Sequence, residues 1–222
     1  MTRVELARII DHSVLKPEAS EGDIHGGAEI VRHWRIGFYC VQPCWVKRAT
    51  DALDGADAHT VAVVGFPHGC DRAEVKALAA AIAVGDGAGE IDMVMNFGAL
   101  KSGADVAVAA DIEAVVRAVE GIPVKVILET AALTDAEKRR ASRIACDAGA
   151  RFVKTSTGFH PAGGATVGDV RLLREVVGAD VGVKASGGIR SLADVQAMIG
   201  AGANRIGTSA SAAILSALGA EA

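Results

Sequence analysis

The sequence predicts a single (β/α)8 TIM barrel with a short N-terminal extension, an α/β fold in which eight parallel strands alternate with helices. Short apolar segments of strand character alternate with helix-forming segments roughly every 25 to 30 residues. No linker or change of composition interrupts the chain, so one domain over residues 1–222 is expected. A doubly wound open sheet is the alternative, but it usually has a glycine-rich dinucleotide turn after its first strand. The segment Asp11-His12-Ser13-Val14 is no such turn.

Eight segments are expected to form the strands of the barrel. Each is short, and most are rich in Val, Ile and Ala, as expected of strands buried on both faces. In chain order they span residues 8–14, 36–41, 59–64, 90–95, 124–129, 151–158, 181–185 and 203–208.

A helix-forming segment follows each expected strand. Ser20 and Thr134 are expected N-caps, since an acidic residue stands three positions after each. Pro43 suits the start of a helix, Asp71 can cap the helix after strand three, and Ser191 begins the helix after strand seven. The helices are expected at about 20–34, 43–53, from 71, 104–119, from 134, 167–177, from 191 and 209–218.

Composition narrows the classes of partner. The net charge is -4 and the pI is near 5.9, so the chain has no basic field for nucleic acid. No apolar run reaches the roughly 18 residues of a membrane span, and the first residues lack a signal-peptide core. A cytoplasmic protein without nucleic-acid or membrane partners is expected.

The four cysteines predict neither a disulfide scaffold nor a metal site. No second pair or nearby histidine completes a zinc site with Cys40 and Cys44. Buried thiols are expected for these two and for Cys70 and Cys146. Cys40 would be reactive if it faced a pocket. No metal or cofactor is expected.

Two lysines stand at the ends of apolar strands, Lys154 and Lys184. A free lysine has a pKa of about 10.4 and cannot attack a carbonyl at neutral pH, because it is protonated. Two ammonium groups about 4 Å apart at a dielectric of about 20 repel by about 4 kcal/mol, which is roughly three pKa units. The pair therefore indicates one Schiff-base nucleophile and one cation that lowers its pKa. The alternative is that both lysines are solvated at the surface.

Alternation along the strands predicts that several charged side chains share the barrel interior with the two lysines. They are Asp11 on strand one, Asp92 on strand four and Lys125 on strand five. Charges in so narrow an interior must pair, and pairing would shift several pKa values together. A purely structural ion pair is the alternative for each of them.

Three glycine-containing loops follow strands six, seven and eight. They are Thr157-Gly158, Ser186-Gly187-Gly188 and Gly207-Thr208-Ser209. Glycine lets backbone N–H groups approach an anion, and a helix beginning at Ser209 would add its positive end. Phosphate sites in barrels often lie beyond strands seven and eight, so a phosphate site is expected here. Ordinary turns are the alternative.

Seven segments together resemble the deoxyribose-phosphate aldolases, and the resemblance covers nearly the whole chain. The segments are IDHSVLKP at 10–17, VGFP at 64–67, EIDMVMN at 90–96, GALKSG at 98–103, FVKTSTGF at 152–159, GGAT at 163–166 and VKASGGIR at 183–190.

This resemblance implies a metal-free class I aldolase in deoxyribose phosphate catabolism. It would reversibly cleave 2-deoxy-D-ribose 5-phosphate to D-glyceraldehyde 3-phosphate and acetaldehyde. Lys154 would form the Schiff base, Lys184 would lower its pKa, and Asp92 would move protons through a bound water. The substrate and phosphate contacts would be Ser13, Gly158, Gly187, Gly188 and Ser209.

Some positions depart from the usual pattern of these aldolases. Ser13 stands where threonine is common, and Ala210 follows Ser209 where a second serine is common. One phosphate hydrogen bond of about 1 kcal/mol could be lost. Tyr39 is the only tyrosine, so no terminal tyrosine can reach the site.

The residues also leave other functions and an assembly open. A phosphosugar isomerase, a fructose-bisphosphate type aldolase and a non-catalytic phosphosugar-binding protein are the alternatives. A homo-oligomer, either a dimer or a tetramer, is expected, with Trp34, Phe38 and Trp45 as candidate contact residues.

Overall fold

A closed barrel of eight parallel strands forms the centre of the computed structural model, which describes residues 1–219. Each strand pairs with the next, and the last pairs with the first, so no strand edge is left open. This confirms the predicted (β/α)8 barrel. The strands are β1 Ile10–Val14, β2 Phe38–Val41, β3 His59–Val64, β4 Ala88–Val94, β5 Val124–Ile127, β6 Phe152–Lys154, β7 Gly182–Ser186 and β8 Arg205–Thr208.

Helices surround the barrel, and two 3₁₀ turns, at Pro43–Trp45 and Thr130–Ala132, follow β2 and β5. The helices are α1 Arg3–Arg8, α2 Glu21–Trp34, α3 Val46–Ala52, α4 Ala73–Gly85, α5 Phe97–Lys101, α6 Asp105–Ala118, α7 Asp135–Asp147, α8 Val167–Val177, α9 Leu192–Gly200 and α10 Ser211–Ala217. None of the helices within residues 1–219 has the length and apolar character needed to cross a membrane.

Capping boxes begin the helices where the sequence indicates them. Ser20, Thr134 and Ser191 each accept a hydrogen bond from the backbone N–H three residues later, and the acidic side chain there bonds back to the cap. Each box satisfies two backbone donors that a helix start leaves unpaired.

The helices that follow β3 and β4 differ from the expectation. Asp71 does not cap α4, because the cap position is Arg72, and the Arg72 side chain makes no capping hydrogen bond among the described residues. The sequence predicts no helix directly after β4, but the Asn96 side chain accepts from the Ala99 N–H at 2.9 Å and begins the short helix α5.

The N-terminal extension is a helix and not the start of strand one. Thr2 and Glu5 form a capping box at the start of α1, and Arg8 lies in its last turn. Strand β1 therefore begins at Ile10, two residues later than the sequence predicts. Ile10 is aligned with Ile206 of β8, where the barrel closes.

A fully buried lysine ties together three elements beside the barrel. Lys76 of α4 donates to the carbonyl oxygens of Gly69 at 2.8 Å and Val94 at 2.9 Å. Its Nζ also lies 2.6 Å from the Asp111 carboxylate of α6. The ammonium thus joins the loop after β3 to the end of β4 and to the neighbouring helix.

Replacing Lys76 with Met should lower the free energy of unfolding by about 3 to 5 kcal/mol, because Asp111 is left buried without its cation. Urea unfolding followed by circular dichroism measures this. Lys47→Met is the matched control, since Lys47 and Asp51 form a solvent-exposed ion pair. This variant should change the free energy of unfolding by less than about 1 kcal/mol. Equal effects of the two variants would contradict the prediction.

Candidate active site

A cavity of about 880 Å³ opens at the carboxyl ends of the strands, where barrel active sites lie. Lys154 and Lys184 line it together with Asp11. The loops after β6, β7 and β8 form one wall, and the loop from β1 into α2 forms another. The predicted catalytic and phosphate-binding residues therefore lie around one space, except for the deeper Asp92 and Lys125.

Asp92 is the centre of a buried ion cluster. Its Oδ2 lies 2.7 Å from the Nζ of Lys154 and 2.7 Å from the Nζ of Lys184. Its Oδ1 accepts from Lys125 at 2.8 Å. Because two ammonium groups share one oxygen, they can be no farther apart than twice that distance. The structure thus brings the lysine pair together in the barrel interior and excludes the surface alternative.

A lower tier of this cluster contains two residues that the sequence analysis missed, Glu90 and Arg205. Glu90 pairs with Lys125 and with Arg205 at 2.8 Å, and Arg205 also lies 3.1 Å from Asp11. Alternation could have found Glu90, which precedes Asp92 by two positions. Arg205 is aligned with Lys184 in the strand register, a signal that needs the barrel closure.

Phe38 is half-buried and packs against this lower tier. The guanidinium of Arg205 lies over its ring at 3.4 Å from the centroid. Its role as a subunit contact residue stays a prediction. Trp34 and Trp45 are half-buried against the core.

The charges of the cluster balance only if one cation is neutral. Four cationic and three anionic side chains meet in the barrel interior. A net charge in such a medium is costly, so loss of one proton is favoured. The members are Lys125, Lys154, Lys184, Arg205, Asp11, Glu90 and Asp92.

Lys154 is the cation that gives up its proton most easily. Burial lowers the pKa of Lys154, Lys184 lowers it further, and Asp92 opposes both without overcoming them. Burial also acts to lower the pKa of Lys184, but the carboxylates of Asp11 and Asp92 outweigh it, so that pKa is raised. Among residues 1–219, Lys184 contacts two carboxylates and Lys154 contacts one, which explains the difference.

Asp92 stays ionised in this cluster. Burial acts to raise the pKa of Asp92, but Lys125, Lys154 and Lys184 together hold it well below its usual range. Burial opposes ionisation of Asp11 in the same way, and its cationic neighbours, Lys184 first, lower the pKa of that carboxyl.

Three glycines bring two loops into contact beside the cavity. Gly158 and Gly187 have φ values of 84° and 88°, which disfavour other residues. A side chain on Gly164 would overlap the carbonyl group of Gly187. The Ala165 N–H donates to that carbonyl at 3.0 Å. The loops after β6 and β7 therefore form a single wall, and Gly188 continues it.

Ser209 and Ser13 line the cavity, as the resemblance implies. The helix after β8 does not begin at Ser209, however, since Ala210 is the cap residue and Ser211 is the first residue of α10. The expected positive helix end at Ser209 is therefore wrong. Ser209 lies in a loop, and its exposed hydroxyl faces solvent at the cavity.

The cysteines differ from the expectation in part. Cys40 is buried with Val61 and Val63 and faces the cavity, and burial raises the pKa of its thiol to about 11. It is therefore a thiol and not a thiolate at neutral pH. Cys44 and Cys70 are exposed, so the prediction of buried thiols is wrong for them.

His12 is a buried cavity residue that the sequence analysis did not single out. Its Nδ1 lies 2.8 Å from the Ser211 hydroxyl, and its ring stacks on Tyr39. Burial lowers the pKa of His12 to about 4, so it is neutral at pH 7.

The chain is similar to aldolases over nearly its whole length. The DeoC/LacD family aldolase model matches residues 9–217. A deoxyribose-phosphate aldolase of Enterococcus faecalis is 50% identical, covering 96% of this chain and 97% of its own. One from Streptococcus sanguinis is 52% identical, covering 96% of each chain. The tetrameric deoxyribose phosphate aldolase structure from Aeropyrum pernix superposes with a TM-score of 0.90 at 31% identity, covering 97% of this chain and 92% of that one.

The buried His12 should make stability fall on acidification. Its pKa is about 4 when folded and 6.5 when unfolded, so the unfolded chain binds the proton first and stability is lost as pH falls from 6.5 to 4. The loss of unfolding free energy that His12 causes over this pH range is about 3 kcal/mol, and it should be absent in His12→Gln. Urea unfolding between pH 4 and 7 measures it. The exposed His68 serves for the control variant His68→Gln, and identical slopes in native protein and His12→Gln would refute the assignment.

Proposed function

The chain belongs to the DeoC/LacD family of aldolases, and we propose that Lys154, Lys184 and Asp92 catalyse its reaction. It reversibly cleaves 2-deoxy-D-ribose 5-phosphate to D-glyceraldehyde 3-phosphate and acetaldehyde through a Schiff base. Two of the alternatives, an isomerase and a non-catalytic phosphosugar-binding protein, are not aldolases. They therefore do not fit this family. The reaction fits the catabolism of deoxyribose phosphate.

The proton distribution between the two lysines carries the assignment of roles. A lowered pKa makes Lys154 an amine that can attack a carbonyl, whereas the two carboxylates around Lys184 keep it protonated. Lys154 also lies at the cavity with 3% of its surface exposed, so a substrate can reach it. Lys184 is then the cation that keeps its neighbour neutral.

All covalent intermediates of the proposed reaction form on Lys154. The neutral amine adds to the aldehyde carbon C1 of the open-chain sugar, and loss of water leaves an iminium. Removal of the C3 hydroxyl proton breaks the C2–C3 bond, which releases D-glyceraldehyde 3-phosphate. The bonding electrons move into the iminium and leave an enamine. Protonation of the enamine carbon and hydrolysis then release acetaldehyde and restore the amine.

Asp92 is suited to pass protons during these steps. Its Oδ2 touches both Lys154 and Lys184, so it borders the position at which each proton is gained or lost. Because its own pKa is held low, Asp92 is ionised before each step and has oxygens free of a proton. Asp11 keeps Lys184 protonated, and Lys125 orients Asp92 from the other oxygen.

The phosphate group is assigned to the glycine wall. Gly158, Gly187 and Gly188 have left-handed backbone conformations at the cavity, which lets their N–H groups face an anion without a side chain in the way. Ser209 adds a hydroxyl from the adjacent loop, and Ser13, which also lines the cavity, is assigned to the sugar hydroxyls.

Borohydride trapping with acetaldehyde, followed by peptide mapping, tests the roles of the two lysines. Native protein should carry a stable adduct on Lys154, and Lys154→Ala should carry none. In Lys184→Ala the loss of the neighbouring ammonium should raise the pKa of Lys154, so the rate of trapping should shift to higher pH.

Two results would contradict this assignment. An adduct on another lysine of the native protein would remove Lys154 from the role of nucleophile. An unchanged pH profile in Lys184→Ala would leave Lys184 with a structural role only. Circular dichroism of both variants shows whether the barrel is still folded.

The proposed assembly is a homo-oligomer in which α4 contacts a second copy of the chain. Val75, Leu78 and Ile82 lie on one face of this helix and are 54%, 62% and 56% exposed. Such an apolar stripe suits an interface between equal chains, and a tetrameric relative shows that this fold can assemble.

Leu78→Glu combined with Ile82→Glu should dissociate the assembly, because charge on the stripe opposes its burial. Light scattering after size exclusion measures the mass. Val4→Glu introduces one such charge, where the double variant has two, at an equally exposed valine of α1 and should leave the mass unchanged. A native monomer would refute the oligomer, and an unchanged mass in the double variant would move the interface elsewhere.

A further inference from the structure

Glu129 is a buried carboxylate that lies outside the lysine cluster, at the end of β5. It is 1% exposed, and no cation of residues 1–219 forms an ion pair with it. Its backbone has φ 57° and ψ 60°, a left-handed conformation that non-glycine residues seldom adopt. Both features are unfavourable by themselves and therefore call for a compensating interaction.

Thr157 supplies that interaction from the loop after β6. Its hydroxyl donates to Glu129 Oε2, and its backbone N–H donates to the same carboxylate at 3.3 Å. The hydroxyl oxygen also accepts from the Phe159 N–H at 3.0 Å. A threonine hydroxyl has only one proton, and here that proton is committed to Glu129.

The hydrogen bond to Glu129 determines which ligand groups the Thr157 hydroxyl can bind. Thr157 lines the cavity directly before Gly158, whereas Glu129 does not reach the cavity. With its proton used, the hydroxyl has only acceptor capacity left, so it can bind a donor such as a sugar hydroxyl and cannot donate to a phosphate oxygen.

We propose that Glu129 is a positioning residue for the substrate, because it holds the Thr157 hydroxyl as a hydrogen-bond acceptor and fixes the loop that carries Gly158. The proposal rests on the function proposed above and adds a preference for particular substrate groups at the same site. A substrate hydroxyl that donates is favoured at Thr157, and the phosphate is directed to the backbone N–H groups beyond it.

Steady-state kinetics on 2-deoxy-D-ribose 5-phosphate test this with Glu129→Gln, Thr157→Val and the double variant. Each single variant should raise KM about tenfold to a hundredfold, the scale of a hydrogen bond to a charged group, and lower kcat less. Because Glu129 acts through Thr157, the double variant should be no worse than the poorer single variant. Thr130→Val is the matched control, since its buried hydroxyl has no hydrogen-bond partner among the described residues.

Trapping with acetaldehyde separates this proposal from the function on which it rests. Acetaldehyde lacks the sugar hydroxyls and phosphate, so the variants should trap it on Lys154 at a rate within about twofold of native. Additive effects on KM, or trapping lost in proportion to the rise in KM, would overturn the role of Glu129. Failure of the native protein to trap would instead overturn the Schiff-base assignment.

Glu129→Gly guards against a variant that does not fold. Glycine suits a φ of 57° but removes the whole Glu129 side chain, so circular dichroism first checks that the barrel is folded. The expected result is the same rise in KM as in Glu129→Gln. A KM equal to that of native protein would refute the proposal.

Discussion

The carboxylate of Asp92, which three lysines share in the buried interior of the barrel, is the interaction on which the site depends. It allows the lysines to lie within reach of one another despite their repulsion. The cluster still contains one more cation than anions, and the partners decide which cation loses its proton. Lys154 has the weaker set of anionic contacts, so the same attraction that holds the cluster together also leaves one amine free to react.

Strand register places these groups with little help from the loops. Asp92 is aligned with Lys125 across β4 and β5, and Lys154 is aligned with Lys184 across β6 and β7. Aligned residues of neighbouring parallel strands point to the same side of the sheet, so closure of the barrel turns both pairs inward. The loops contribute the glycine wall and the Glu129 contact. The strands thus position the charged cluster, and the contact between Glu129 and Thr157 joins the loops after β5 and β6.

The sequence predicts what depends on local spacing. Alternation along the strands placed Asp92 and Lys125 inside, and capping boxes located the starts of three helices. Contacts between distant residues were not accessible in the same way, since Arg205 meets Glu90 only after the barrel closes. The Glu129 carboxylate likewise meets Thr157, 28 positions away, only in the folded barrel. The short helix α1 was missed because its six residues carry too little periodicity to compete with the strand that follows.

The lower tier of the ion cluster has a consequence for how such an enzyme can diverge. Glu90 and Arg205 do not line the cavity, yet a neutral replacement of Arg205 would leave three cations for three anions, and one of Glu90 would leave four cations for two anions. Substitutions in this interior therefore require a compensating exchange of a second residue, or a protein that other substitutions have already stabilised. Residues remote from the substrate would then covary strongly, while the residues of the cavity mouth could drift one at a time.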